Sequence, residues 1–536
     1  MSETTSRAPL SFDPLQAAQE DAEASELPII MSEGGKRHTM AEEALRAMHA
    51  HGVEFYQRDR SLVRVACAKA KTSDGQVIEV PGLVPVTIPI MGRAMGQSAT
   101  WQRETLVGKR VVVHPIDPPK DVVEQVAAMV GEWPFPPISG VISTPTMRPD
   151  GTILDQVGYD EATGLVLMAP PKMPKMLARP TRHDADLALD DLQSLLREFP
   201  FVDDASRAVA LSMILTVVLR GALLPAVPMH AATAPAPGTG KSFLSDIVSA
   251  IGTGERCAVI ASSPNVEETE KRLIGAALSG QQIIAIDNVS EMMAGDFLNQ
   301  VTERPLLQIR PLGTSVTIRI PNTFTVFANG NNLSAPADLV RRTLLCRLDA
   351  NVENPEAREF DRNPVADVLR DRGRYIAAAL TIGRAYVVAG YPNQLPSLPS
   401  FERWSDLVRS ALAWLGCGDP CASMDMARAE DPIREEREAI FVSWPVLPDE
   451  DGNPKSEFYT VARLIELAEE TSGMKFIHAD FKAACLEIAT DKNGQISPRR
   501  LGKWLTRNRN LRVGNLKLIA KVPGNGGKVA WSVRQA

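Results

Sequence analysis

The stretch Ala234-Pro235-Ala236-Pro237-Gly238-Thr239-Gly240-Lys241-Ser242 lies between an apolar run, Leu223 to Ala232, and a helix-like segment, Phe243 to Ile251. A strand that turns through a glycine-rich loop into a helix is the setting of a phosphate-binding loop. Glycine accepts left-handed dihedrals and lets backbone approach oxygen closely, so the N–H groups of Gly238-Thr239-Gly240 can point at phosphate. Pro237, Gly238, Thr239, Gly240, Lys241 and Ser242 are therefore the candidate nucleotide-binding residues. In that role Lys241 neutralises phosphate charge and Ser242 holds Mg²⁺. Pro235 departs from the G-x-x-x-x-G-K-[ST] pattern, which has glycine there, and a plain Gly/Pro turn is the competing reading.

Further along, Gln281-Gln282-Ile283-Ile284-Ala285-Ile286-Asp287 follows Gly280 and reads as a buried strand ending in a carboxylate, placed to reach the magnesium held by Ser242. Phe324-Thr325-Val326-Phe327-Ala328-Asn329-Gly330-Asn331-Asn332 is a second β-rich run, and its Asn329 and Asn331 are candidates to orient an attacking water or sense a γ-phosphate. Arg341 and Arg342 open the apolar segment that ends at Asp349. Arginine binds phosphate in a planar fork, so either could reach a neighbouring subunit's site. Asn288 follows Asp287, and an amide cannot accept a proton at neutral pH. The nearby helical acids Glu267, Glu268 and Glu270 are the substitutes to test as a base, against the simpler reading of solvated helix charges.

Taken in order, the glycine loop, the Asp-terminated strand, the asparagine strand end and the double arginine resemble the AAA+ core of ring helicases. The superfamily 3 and MCM-like helicases of phages, prophages, plasmids and other mobile elements are the nearest in pattern. The resemblance covers roughly residues 200 to 420, including Phe401-Glu402-Arg403-Trp404-Ser405-Asp406-Leu407-Val408-Arg409 and Ala413-Trp414-Leu415-Gly416-Cys417-Gly418-Asp419-Pro420. It implies an α/β fold, a P-loop core with a parallel sheet, that uses ATP and Mg²⁺ as a homo-oligomer, expected to be a hexamer. It also implies that the hairpin-like segment Leu306 to Ile320 projects into the ring channel, with Arg310 and Arg319 on single-stranded DNA. An ordinary solvated hairpin fits those two arginines equally well. The activity so implied is an ATP-dependent DNA helicase or translocase in replication of a phage or mobile element, working with replication proteins. The alternative is an ATP-switched, origin-binding initiator or helicase loader with little unwinding.

Outside this core the chain of 536 residues, 44% hydrophobic, is long enough for about three domains. Residues 1–26 are polar and acidic, with no basic start and apolar core of a secretory signal, and are expected to be disordered. Residues 27–180 read as an α+β module of unknown role, with a helix-like patch at Met40 to His51, a β-rich run at Arg110 to His114 and a Pro-Asp-Gly turn at 149–151. The Pro-rich stretch Pro170 to Lys175 reads as a linker into an ATPase core of residues 181–395, followed by a helical part at 396–450. The longest apolar run, Ala208 to Leu219, is too short to cross a bilayer and reads as a buried helix, so no membrane partner and a cytoplasmic location are expected. Six scattered cysteines suit a reducing compartment, and neither Cys417 and Cys421 nor any histidine has zinc-ligand spacing.

The net charge is −7, yet from Ser497 to the end there is no acid and ten basic residues. The pattern of residues 455–536 predicts a winged helix: helices near 458–471 and from 477, and a third opened by Ser497 as N-cap and Pro498 at its first position. Two β-like runs around Pro523-Gly524-Asn525-Gly526-Gly527 would form the wing. Arg499, Arg500, Lys503 and Arg507 are then the candidate contacts to duplex DNA, with a protein-docking winged helix as the competing reading.

Overall fold

The computed structural model describes residues 27–71, 77–263, 265–289, 295–311, 313, 316–333, 337–429, 432–448, 454–455, 457–473, 475–522 and 528–535. The expected disorder of 1–26, most of the hairpin tip (312, 314 and 315) and the wing turn at 523–527 lie outside the described residues.

The centre of the molecule is a five-stranded, wholly parallel sheet. In chain order its strands are β1 (Met229–Ala234), β2 (Val259–Ala261), β3 (Ile283–Asp287), β4 (Thr325–Asn331) and β5 (Thr343–Arg347). In space they lie β2-β3-β4-β1-β5. The glycine loop follows β1 and leads into α1 (Lys241–Thr253), while α2 (Val266–Ser279) precedes β3. Four of the strands are apolar runs because both faces are covered, whereas the edge strand β2 is exposed at Val259 and Ala261. Ala232, Ala285, Phe327 and Leu344 face one cluster with α1 and the buried helix Asp204–Val218. Ala231, Ile284, Val326 and Leu345 face the other, with Leu273 and Ala277 of α2. Successive side chains point to opposite faces, so the apolar runs feed two cores at once.

β4 can lie between β1 and β3 only because residue 330 is glycine. A Cβ there would stand 2.2 Å from the Val289 carbonyl oxygen, where the chain leaving β3 folds back to donate Val289 N–H to Asn329 O at 2.9 Å.

The hairpin between β3 and β4 pairs Leu306–Ile309 with Ile318–Pro321. Leu307, Ile309 and Ile320 are buried, so Arg319 and its cross-strand neighbour Gln308 face outward. Buried Asn322 ties the base of the hairpin, donating from Nδ2 to Arg304 O at 2.9 Å.

The N-terminal module has its own core, built from helices Arg37–Ala50, Ile88–Ser98 and Lys120–Ala128. It grips the central core through helix C-termini, whose last carbonyls lack intrahelical partners. Arg58 donates to Leu278 O at 2.6 Å and Ala277 O at 3.0 Å at the end of α2. At the end of α1, Ser143 Oγ donates to Thr253 O at 3.0 Å and Thr144 Oγ1 to Gly252 O. Arg372, opening the helix Arg372–Val388, donates to Ile251 O at 2.9 Å. Burial pulls Arg58 and Arg372 down to about 10, which leaves both charged at neutral pH and suited to a helix's negative end. The expected Pro-rich linker is a packed strap instead: Met173 and Met176 pack on the core, and Arg384 donates twice to Ala178 O, at 2.9 and 2.8 Å.

The stretches around Phe401 and Asp419 meet through a bidentate ion pair, Arg409 to Asp419 at 2.8 and 2.6 Å, while Trp404 Nε1 donates to Thr216 Oγ1 at 2.8 Å. The helix Pro432–Val442, expected with the ATPase part, gives Ile440 and Phe441 to the C-terminal core instead. That core also holds α3 (Val461–Glu469), α4 (Ala479–Ala489), α5 (Pro498–Arg507) and the antiparallel strands β6 (Leu516–Lys521) and β7 (Ala530–Gln535). Ser497 Oγ accepts from Arg500 N–H at 3.4 Å, which caps α5 as its sequence predicts. Among the described residues no helix is long and apolar enough to cross a membrane.

Gly330→Ala should lower the melting temperature of the central core by several degrees in scanning calorimetry, because backbone must move. Gly275→Ala, on the open side of α2 with nothing within 4 Å of the added methyl, should leave it unchanged or raise it.

Candidate functional site

All five strands end on one edge of the sheet, and ligands of open parallel sheets sit outside that edge. The glycine loop lies there, directly after β1. Gly238 (φ 74°) and Gly240 (φ 108°) are both left-handed, whereas Pro235 needs no positive φ. This explains the departure from pattern: the chain leaves β1 in a conformation proline accepts, and the loop reverses at the two later glycines. Gly238 is constrained a second time by the turn Pro355–Ala357, since a Cβ there would meet Glu356 Cβ at 2.9 Å. α1 begins at Gly240 with no side-chain cap, so its first N–H groups face the loop.

Four polar side chains converge at that helix start. Ser242 Oγ donates to Asp287 Oδ1 at 3.4 Å. Lys241 Nζ donates to Ala236 O at 3.2 Å across the loop, and Thr239 Oγ1 donates to the same carbonyl at 2.7 Å. Partial burial lowers the Lys241 pKa, and the Asp287 carboxylate pushes it back up. Asp287 follows Ile283 and Ala285 on the α1 side of β3, which is how a strand-end residue comes to face a helix start. A hydroxyl and a carboxylate are hard oxygen donors, which fit Mg²⁺ rather than a soft metal.

Asn329 and Asn331 share that face of β4 but have different surroundings. Asn329 is buried and hydrogen-bonds Ser245 Oγ at 3.1 Å, which ties β4 to α1 one turn beyond Ser242. Asn331 is exposed at the strand end, in register with Ala234 at the root of the loop. Asn288 has φ 53°, a left-handed conformation that asparagine tolerates better than glutamate does. Two of the three helical acids, Glu268 and Glu270, are occupied elsewhere. Glu270 accepts from Phe297 N–H at 2.9 Å at the start of another helix, and Glu268 pairs with Arg272 at 3.5 Å.

Beside the loop is a cavity of about 430 Å³, lined among others by Phe199, Gly240, Phe243, Arg358 and Phe360. Phe199 and Phe243 stack with centroids 6.5 Å apart, and the Arg358 guanidinium lies 5.1 Å over the Phe360 ring while donating to Glu198 O at 2.7 Å. Such a volume fits a nucleobase and ribose. Sequence reasoning missed these residues, although three phenylalanines in a chain with only 5% aromatics were a visible signal.

The arginine pair lies elsewhere. It precedes β5, so it stands at the opposite edge, about 16 Å away along a five-residue strand. Arg342 is buried and held within its own chain by Glu303 and Asn299. Arg341 is exposed and only 3.7 Å from Glu303 at its nearest. Arg310 and Arg319 are exposed on the hairpin, and Arg499, Arg500, Lys503 and Arg507 line the exposed face of α5, whose Leu501 and Leu505 are buried. Arg500 also donates to Thr490 O.

No protein-family model matches the chain, and no curated protein matches it. Among solved structures it is similar to the C-terminal region of NrS-1 in its A-form apo structure, at 12% identity and TM-score 0.34, over 83% of this chain and 98% of that one. It is also similar to the 305–718 form of that region, at 12% identity and TM-score 0.29, over 62% and 67%.

Asn329→Ala should cost about 1–3 kcal/mol of stability, since it strands a buried hydroxyl and loosens β4 from α1, whereas Asn331→Ala should stay within about 0.5 kcal/mol. Chemical denaturation of the two variants side by side measures the difference.

Proposed function

We propose that the chain is a P-loop ATPase of the AAA+ type that moves along or separates DNA strands, acting in replication of a phage or mobile element. The observation that carries this reading is the meeting of Ser242 Oγ and Asp287 Oδ1, 3.4 Å apart, at the uncapped start of α1 behind a loop of left-handed glycines. In this reading the triphosphate lies along the N–H groups of Gly238, Thr239 and Gly240, with Lys241 against its charge. Ser242 and Asp287 hold Mg²⁺, which supplies charge neutralisation on the phosphate oxygens. Phe199, Phe243 and Phe360 enclose the base. Asn331, exposed beside the loop, is the amide free to orient the attacking water, while Asn329 keeps α1 in place.

Arg341 acts in trans. Its exposure and its distance from its own chain's site support a contact with the site of the next subunit in a ring. Arg342, bound to Glu303, supports the segment that presents it. The hairpin with Arg310 and Arg319 takes single-stranded DNA, and the C-terminal core, read as a winged helix, lays α5 on duplex.

One observation favours a second reading. Asn288 supplies no base and holds a left-handed conformation next to Asp287. A site that binds ATP but turns it over slowly would serve an origin-binding initiator or loader.

ATP hydrolysis with and without single-stranded DNA separates the two: DNA-stimulated turnover supports the motor, and tight ATP binding with none supports the switch. Lys241→Ala should lower turnover at least 100-fold, equivalent to about 3 kcal/mol of barrier. Arg341→Ala should do the same, and mixing the two inactive variants should restore part of the activity, because one supplies an intact loop and the other an intact arginine. Mixtures that stay inactive would count against a shared site.

For the C-terminal domain, Lys503→Ala and Arg507→Ala should each weaken duplex binding across unrelated sequences. Each should also reduce the slope of log affinity against log salt by about 1, read by fluorescence anisotropy.

A further inference from the structure

The hairpin Thr100–Val107 with Arg110–Pro115 leaves the N-terminal module as a free arm. Its first strand is paired on the other side with Ile29–Met31 only as far as Gln102, and beyond that point, among the described residues, the ribbon is two strands wide with no strand on either side. It reverses in a two-residue turn whose first residue, Gly108, is left-handed (φ 66°). Every residue from Leu106 to Val113 is exposed, Leu106 at 73% and Val112 at 42%. A two-stranded ribbon has little stability of its own in water, so an arm this bare gains from lying against a partner.

The cross-strand register sorts the arm into two unlike faces. Arg103 lies opposite His114, Thr105 opposite Val112 and Val107 opposite Arg110, and these residues share one face because alternate side chains point the same way. The other face carries Glu104 with Leu106, Val111 and Val113. Arg103 to Val107 is four steps along the strand, about 13 Å, so the first face is a row with basic groups at both ends. Lys109 adds another at the tip, and Arg103 is steadied at the root by donating to Ser32 Oγ at 3.3 Å. From Thr105 to Ile116 there is no acid, in a chain whose net charge is −7. A basic row without acids complements a polyanion.

We propose that the arm binds duplex DNA, laying the face of Arg103 and Arg110 in the major groove. Resting on the reading of the chain as one that acts on DNA, this adds a second duplex contact, far from α5 in the sequence. Strands of a sheet lie about 4.8 Å apart, so a lone pair of strands enters a groove about 12 Å wide. The row of about 13 Å spans about four phosphates of one DNA strand, whose charges are spaced by about 3.4 Å along the axis. Lys109 and Arg110 meet phosphate at the tip and Arg103 at the root. Thr105 and Val112 between them face base edges, where a valine methyl suits the methyl of thymine. The face with Glu104 turns to solvent, away from the phosphates. The major groove of A-form RNA is too narrow for the same approach.

Fluorescence anisotropy on the full chain tests this in a Lys503→Ala/Arg507→Ala background, which weakens the duplex contacts of α5. There Lys109→Ala/Arg110→Ala should weaken duplex DNA binding about 10-fold or more and reduce the slope of log affinity against log salt by about 2. Val112→Glu and Val111→Glu place the same charge on adjacent exposed residues of opposite faces. The first should weaken binding about 10-fold or more and the second less than about 3-fold, with unchanged circular dichroism in both. Duplex RNA of the same sequence should bind the background and its arm variants alike. Equal losses from the two glutamate variants would overturn the proposal, as would duplex DNA binding that Lys109→Ala/Arg110→Ala leaves unchanged. So would phosphatidylglycerol vesicles that bind through Lys109 and Arg110 when duplex DNA does not. In each of these cases DNA-stimulated ATP turnover still stands as the test of the ATPase reading, whereas a wild-type chain that binds no DNA would sink both.

Discussion

The insertion of β4 between β1 and β3 is the constraint on which the rest of the central domain depends. It sets the glycine loop and Asp287 one strand apart, close enough for Ser242 to reach the carboxylate. Three contacts hold β4 in that place: the Asn329 amide on Ser245, the Val289 N–H on Asn329 O, and the bare backbone of Gly330 under the Val289 carbonyl. None of the three would form if β4 shifted by one residue, because the side chains would then exchange faces. The apolar cores on both faces supply most of the stability, but these polar contacts select the register.

Much of this was legible in the sequence where one segment carries its own signal. Apolar runs ending in Asp287 and Asn331, the loop at Gly238 and Gly240, and the Ser497-Pro498 start of α5 each state their conformation locally. What depends on distant partners was not legible. The order of the strands is set by which faces meet, and the aromatic cavity joins residues near 199, 243 and 360. Arg341 and Arg342 are adjacent and chemically identical, and both reach Glu303, far earlier in the chain, but Arg342 is buried and also bonds Asn299 while Arg341 is exposed. Likewise Asn329 and Asn331 differ by burial alone. Asn288 looked like a missing glutamate, whereas its backbone requires a residue that accepts a left-handed turn.

Charge is used in two separate ways in this chain. The acid-free C-terminal stretch gathers positive charge on an exposed helix face, while the chain as a whole is acidic. That arrangement gathers attraction for a polyanion at the C-terminal helix face although the net charge of the chain opposes it. Inside the molecule, Arg58 and Arg372 serve instead as caps on helix ends, bonded to carbonyls. Swapping either for lysine would keep the charge and lose the fork that reaches more than one acceptor.

The capping of α1 has a mechanical side. The helix is 13 residues, about 20 Å, and its first turn carries Lys241 and Ser242. Its last turn is fastened by Ser143 and Thr144 of one module and by Arg372 of the helix that follows the cavity-lining segment. A helix is stiff along its axis, so it acts as a push-rod with one end in the loop and the other clamped between two bodies. Any displacement of a fraction of an ångström at the loop arrives undiminished at that clamp, where the N-terminal module and the helix Arg372–Val388 must either shift together or come apart.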